Sequence, residues 1–222
     1  MARIALFDLD RTLLDVNSGR LWVQSEWQRG ALRARDVAWA AYWLGRYTLG
    51  SCDGLDRVFE VATRSVAGMP ANQLQQHVKD WFDREVRDHL RPGARRALDA
   101  HRRAGDRLVL ATSSTNFAAR AAAEAYGMDD IVSTELEVVD GVLSGRIQQL
   151  ALGDDKARAC ERWAERSDVD LADATFYTDS ITDLALLERV GDPVAVHPDR
   201  PLRREALARQ WRIVDWGTAA VG

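Results

Sequence analysis

Eleven residues near the amino terminus limit what this chain can become: Ile4-Ala5-Leu6-Phe7-Asp8-Leu9-Asp10-Arg11-Thr12-Leu13-Leu14. Ile4 to Phe7 form an apolar run too short for a helix, and they read as a fully buried strand of a parallel sheet. Side chains alternate along a strand, so Asp8 and Asp10 are expected to leave its carboxyl end on the same side. Open α/β sheets place their ligands at such ends. Two acids held there repel each other unless a cation joins them or one keeps a proton. The pattern points to a metal-assisted nucleophile beside a general acid. A bare D-x-D is more often a polar turn after a strand, so the rest of the sequence decides.

After this stretch comes a long interval, residues 18–90, with helical spacing and almost no strand signal. Leu21, Trp22, Ser25 and Glu26 open one amphipathic segment. Asp36 caps a second, through Trp39, Tyr42, Trp43 and Tyr47, and residues 55–66 form a third, ended by Gly68-Met69-Pro70. Residues 71–90 give a fourth, with Leu74, Val78, Trp81, Phe82 and Val86 on one face. Beyond Arg91-Pro92-Gly93 the spacing predicts a helix over 94–104, a buried strand over 107–112 and a helix over 118–126 closed by Gly127. A short strand over 131–134 precedes a hairpin, 136–139 and 142–147, turning at Asp140-Gly141. Residues 156–163 are helical, and 175–178, 193–196 and 211–214 are further strands. Strands alternating with helices indicate a parallel sheet.

Composition narrows the function. The chain has 222 residues and a net charge of -4, which excludes a general nucleic-acid footprint. Arg95, Arg96, Arg102 and Arg103 are therefore expected on a solvated helix face. Lys79 and Lys156 are the only lysines, so a lysine at a useful place stands out. Cys52 and Cys160 are too few for a disulfide framework and lack a paired base, and His77, His89, His101 and His197 show no metal-ligand spacing. No long apolar run precedes Asp8 and no stretch reaches the roughly 20 residues of a membrane span. A cytoplasmic protein without stable membrane insertion is the expectation; a membrane-surface role for residues 39–44 is a minor alternative. Nothing in the sequence fixes the oligomeric state.

Four stretches fall at strand ends or helix starts: Asp8 to Thr12; Thr112-Ser113-Ser114; Lys156 after Gly153-Asp154-Asp155; and Thr178-Asp179-Ser180-Ile181-Thr182-Asp183. Together they hold what phosphoryl transfer needs: a nucleophile, a hydroxyl and amide cradle, a fixed cation and metal-binding acids. In these motifs the sequence resembles the haloacid dehalogenase (HAD) superfamily of phosphatases, and looks most like its phosphoserine-phosphatase-like subgroup. The resemblance spans the whole chain. It implies a Rossmann-like parallel core, residues 1–15 and 91–222, flanked by helices, with an all-helical C1-type cap, residues 16–90, inserted after the first strand.

The resemblance also implies roles. Asp8 would be the nucleophile, and Asp10 would protonate the leaving oxygen and then activate water. Thr12 would support the loop. Thr112, Ser113 and Ser114 would bind the phosphoryl oxygens together with Lys156. Asp8, the Asp10 carbonyl and Asp179 would hold Mg²⁺, and Asp183 would anchor Lys156 or the metal's waters. The partner would be a small phosphorylated metabolite. Phosphoserine, histidinol phosphate or a similar amino-alcohol phosphate are candidates, and lysophospholipid-like esters stay open. Phosphoserine is not favoured: Thr112-Ser113-Ser114-Thr115 replaces the Ser-Gly-Gly-Phe of that subgroup, and Asn17 and Asp53 do not match its serine-gripping residues. The aromatic residues Trp22, Trp27, Trp39, Tyr42, Trp43 and Tyr47 form either a cap core or a pocket for an apolar leaving group. Arg20, Arg46 and Arg64 could meet an anionic substrate group. Two other readings remain, a phosphotransferase or phosphomutase with the same intermediate, and a catalytically retired phosphate-binding regulator.

Overall fold

The computed structural model describes residues 3–30, 63 and 66–220. Its sheet has seven strands: β1 (Ile4–Phe7), β2 (Arg107–Thr115), β3 (Asp130–Val139), β4 (Val142–Gln149), β5 (Ala174–Thr178), β6 (Asp192–Val196) and β7 (Arg212–Val214). The order is β4-β3-β2-β1-β5-β6-β7. All neighbours are parallel except β3 and β4, which make the antiparallel hairpin at Asp140-Gly141. Strands succeed β1 to one side through β2 and to the other through β5. A crevice is expected where the order switches, outside the carboxyl ends of β1, β2 and β5. Those ends carry Asp8, Thr112 and Asp179.

Residues alternate cleanly between two apolar layers. Phe7, Leu110, Tyr177 and Val196 face one side, and Leu6, Val109, Phe176 and Ala195 the other. On the first side lie α2 (Ala71–Glu85), α3 (Pro92–Ala104) and α4 (Asn116–Tyr126); on the second lie α5 (Asp154–Arg166), the short α6 (Leu184–Leu187) and α7 (Arg200–Ala208), after α1 (Ser18–Gln28) near the entry to the insertion.

Three elements differ in extent from the sequence reading. β3 is continuous through Glu135, with a register shift against β4 there, where two separate segments were expected. β2 runs on to Thr115. The helix expected over 71–90 stops at Glu85, because Leu90 is needed in extended form to bridge Leu14. Of the aromatic residues, Trp22 meets Trp81 edge-on at 5.0 Å and Trp27 is exposed. Trp39, Tyr42, Trp43, Tyr47, Arg46, Arg64, Cys52 and Asp53 lie outside the described residues.

The buried face of α2 joins the core layer of the sheet. Phe82 meets Tyr126 edge-on at 5.9 Å, Gln75 donates to the Phe117 carbonyl, and Ala71 donates to the Gly141 carbonyl of the hairpin turn. No helix among the described residues is long and apolar enough to cross a membrane.

Candidate active site

β1 ends at Phe7, and its ladder is continued by the Asp8 amide, which donates to the Tyr177 carbonyl at 2.9 Å. The chain then makes one wide turn, Leu9–Leu13, in which Arg11 adopts φ 60°. Strand alternation therefore stops at Asp8, and the turn aims Asp10 instead. Asp8 points to Lys156, whose Nζ donates to its Oδ1 at 2.8 Å. Asp10 accepts from the Ser18 amide at 2.7 Å, at the start of α1, and from the Ser114 hydroxyl at 3.4 Å. Leu9, Leu13 and Leu14 anchor the turn in the core.

Lys156 sits in the first turn of α5 and is 2% exposed. It also donates to both oxygens of Asp183, at 3.0 and 2.8 Å. The Thr178 hydroxyl donates to Asp183 at 2.6 Å. One ammonium thus joins two buried carboxylates, an arrangement that is costly to leave without its cation. Burial works against the charged ammonium, but Asp183 and Asp8 outweigh it and hold Lys156 protonated.

Asp179 is less well compensated. It is buried, and its side chain accepts from the Thr12 hydroxyl at 3.3 Å. Burial, with Asp8 and Asp183 nearby, raises its carboxyl well above the usual range. Burial also raises Asp8 to about 7, against the pull of Lys156, and raises Asp10, against its bonds to Ser18 and Ser114. For all three carboxylates, burial outweighs the stabilising contacts.

Thr112 is buried at the β2 end and accepts from the Ser114 amide at 3.1 Å. That amide is therefore engaged inside the chain rather than turned outward. Ser113 is partly buried, and its carbonyl accepts from Thr134. The structure thus brings Asp8, Lys156 and Asp183 into direct contact, joins Asp10 to Ser114, and joins Asp179 to Thr12. Sequence reasoning gave no role to Thr178, which directly precedes the D-S-x-x-D run and orients Asp183. It also missed Ser18 and Asp199. Asp199 accepts from the Ile181 amide at 3.0 Å and donates its own amide to the Asp179 carbonyl at 2.8 Å.

The other titratable residues stay outside this cluster. Burial pushes the Cys160 thiol up to about 12, which leaves it inert. His77 pairs with Glu26, His89 with Asp15, and His101 with Asp106. Arg20 is exposed and Asn17 caps α1.

A family model described as haloacid dehalogenase-like hydrolase matches residues 5–188. The chain belongs to that family. Among HAD relatives, a protein named histidinol-phosphatase from Neisseria meningitidis is 28% identical, over 97% of this chain and 100% of that one. A solved structure of a protein of unknown function from Bordetella pertussis is 30% identical, with a TM-score of 0.85 over 98% of this chain and 100% of that one. A phosphoserine phosphatase solved as a phospho-aspartyl intermediate analogue shares the fold, with a TM-score of 0.67 at 16% identity, over 98% and 95% of the two chains.

HAD phosphatases generally use Mg²⁺, and the donor set here fits a hard, small cation. Among the described residues no group of three His, Cys, Asp or Glu side chains stands ready to hold a metal. Mg²⁺ does not need one: it takes one or two carboxylates and fills its shell with water and substrate phosphate. Asp8 and Asp179, both buried, would be that pair, with the Asp10 carbonyl as a main-chain donor. Linkage fixes the sign of a test. A carboxyl whose folded pKa is raised binds protons more tightly in the native state, so the metal-free protein loses stability as pH climbs from about 4 through about 7. Mg²⁺ displaces those protons. It should therefore raise the melting temperature more at pH 8 than at pH 5.5. Thermal unfolding at both pH values reads this, and an equal shift at the two would contradict the fit.

Proposed function

We propose that the protein is a Mg²⁺-dependent phosphatase that hydrolyses small-molecule phosphate monoesters through an aspartyl-phosphate on Asp8. The observation that carries this is Lys156, a fully buried ammonium bonded at once to Asp8 and Asp183. It fixes the nucleophile, favours its ionised form against the cost of burial and leaves a cation where phosphoryl charge gathers.

In the first step a carboxylate oxygen of Asp8 bonds to phosphorus while the bond from phosphorus to the ester oxygen breaks. Asp10, part-buried and with a raised pKa, gives its proton to that leaving oxygen. Asp10, now charged, takes a proton from water, whose oxygen displaces phosphate from Asp8. The bonds from Ser18 and Ser114 hold the Asp10 carboxyl in place for both transfers. Lys156 keeps its proton throughout, and Thr112 and Ser113 stand at the β2 end to receive phosphoryl oxygens. A bound Mg²⁺ would supply further positive charge to the phosphoryl group and lower the repulsion between Asp8 and Asp179.

The insertion over 16–90 is read as a helical cap that selects the leaving group, and the protein as cytoplasmic. Histidinol phosphate is the first substrate to try, because the Neisserial relative carrying that name matches this chain end to end. Phosphoserine and other amino-alcohol phosphates come next. A panel of phosphorylated metabolites with Mg²⁺, scored by inorganic phosphate, tests the reading. The expected result is Mg²⁺-dependent release from at least one amino-alcohol phosphate. Transfer only to an added alcohol would make the protein a phosphotransferase, and no turnover of any ester would refute the phosphatase.

A further inference from the structure

Arg91 is buried, 6% exposed, at the point where the chain re-enters the core. Its guanidinium is spent on main-chain carbonyls. Nε donates to the Arg11 carbonyl at 3.3 Å, and Nη1 donates to the Gly217 carbonyl. Its amide donates to the Leu13 carbonyl at 2.9 Å. Arg91 thus grips the Asp8 to Leu13 turn at two points, one of them the left-handed residue that separates Asp10 from Thr12.

The carboxyl-terminal tail is tied to the same place. Asp15 accepts from the Ala219 amide at 2.7 Å and pairs with His89 at 2.9 Å. Trp216 lies against Tyr177, with ring centroids 5.1 Å apart, and against Phe7 at 6.5 Å. Gly93 donates to the Trp216 carbonyl, and a Cβ at Gly93 would overlap Trp216. Three separate segments, the turn, the re-entry and the tail, therefore share one set of bonds. A left-handed Arg11 has no intrinsic preference for its conformation, so something must hold it.

We propose that Arg91 is a positioning residue: through the Arg11 carbonyl it fixes the turn that aims Asp8 and Asp10, and through Gly217 it makes the tail part of that support. The proposal rests on the phosphatase reading for its kinetic readout. It predicts that Arg91→Met lowers kcat about 10- to 100-fold, the scale of a small misplacement of reacting groups, with KM changed less than about threefold. Arg91→Lys keeps the charge and one bond, so it should recover part of the rate. Ala219→Pro, which removes the amide bonded to Asp15, should lower kcat in the same sense.

The test combines p-nitrophenyl phosphate kinetics with hydrogen exchange of the peptide covering residues 9–14. Exchange there should rise in Arg91→Met and in Ala219→Pro while the β1 and β5 amides stay protected. The two kcat losses should not add in the double variant, because both act on one support. A kcat within twofold of wild type, unchanged exchange, or full additivity would each overturn the proposal. A wild-type protein that releases no phosphate would overturn the phosphatase reading alone, and exchange would still decide the role of Arg91.

Discussion

Lys156→Met is expected to lower turnover by about 10³-fold and to lower the melting temperature markedly. The methionine fills the same space but cannot donate to Asp8 or Asp183. Losing one partner of a buried ion pair costs about 3–5 kcal/mol, because the remaining charge stays desolvated. Here two carboxylates are left, Asp8 and Asp183, both buried. At about 2–4 °C per kcal/mol for a domain of this size, the drop is roughly 6–20 °C. Activity falls because a cation aimed at the developing phosphoryl charge has gone. The double variant Lys156→Met, Asp183→Asn separates the two effects. It should recover part of the stability and none of the rate. Recovery of both would mean that Lys156 supports the fold and nothing else.

Asp8→Asn should behave in the opposite way toward stability. Turnover is expected to fall by about four orders of magnitude or more, since an amide oxygen does not attack phosphorus as a carboxylate does. Stability should stay level or rise. Lys156 keeps both bonds to Asp183, and the burial cost that lifts the Asp8 carboxyl to about 7 disappears. The gain should be larger at pH 8 than at pH 5, because only the ionised form carries that cost. Melting curves at both pH values and phosphate release measure the two halves. Hydrolysis close to wild type would refute the assigned nucleophile. A site that is stabilised by losing its reactive group is one shaped for reaction at the expense of stability.

The sheet was largely readable in the sequence because its strands are short apolar runs between helices of clear period. Ile4 to Phe7 and Phe176 to Thr178 could hardly fold otherwise. The acids and Lys156 were readable because their types and order are unusual together. What could not be read depends on distance along the chain. Periodicity marks the inner face of α2, with Trp81 and Phe82, but not that this face would meet Tyr126 of α4. Strand alternation gave a reason for the aim of Asp10 that the turn replaces, since β1 ends at Phe7 and the turn Leu9–Leu13, with Arg11 at φ 60°, sets the direction of Asp10. Arg91 carries no signal at all: its partners are carbonyls 80 and 126 residues away, and any residue type offers a carbonyl.

The bridge between Leu14 and Leu90 closes the inserted segment at its base. A loop whose ends already touch can grow with little penalty, about 0.6 kcal/mol for each doubling of its length. An insertion of a different size could thus be carried between Leu14 and Leu90 while the strand that leads to Asp8 feels almost none of the change. Freedom in the insertion and constancy in the sheet would then have the same origin, a single doorway two residues wide.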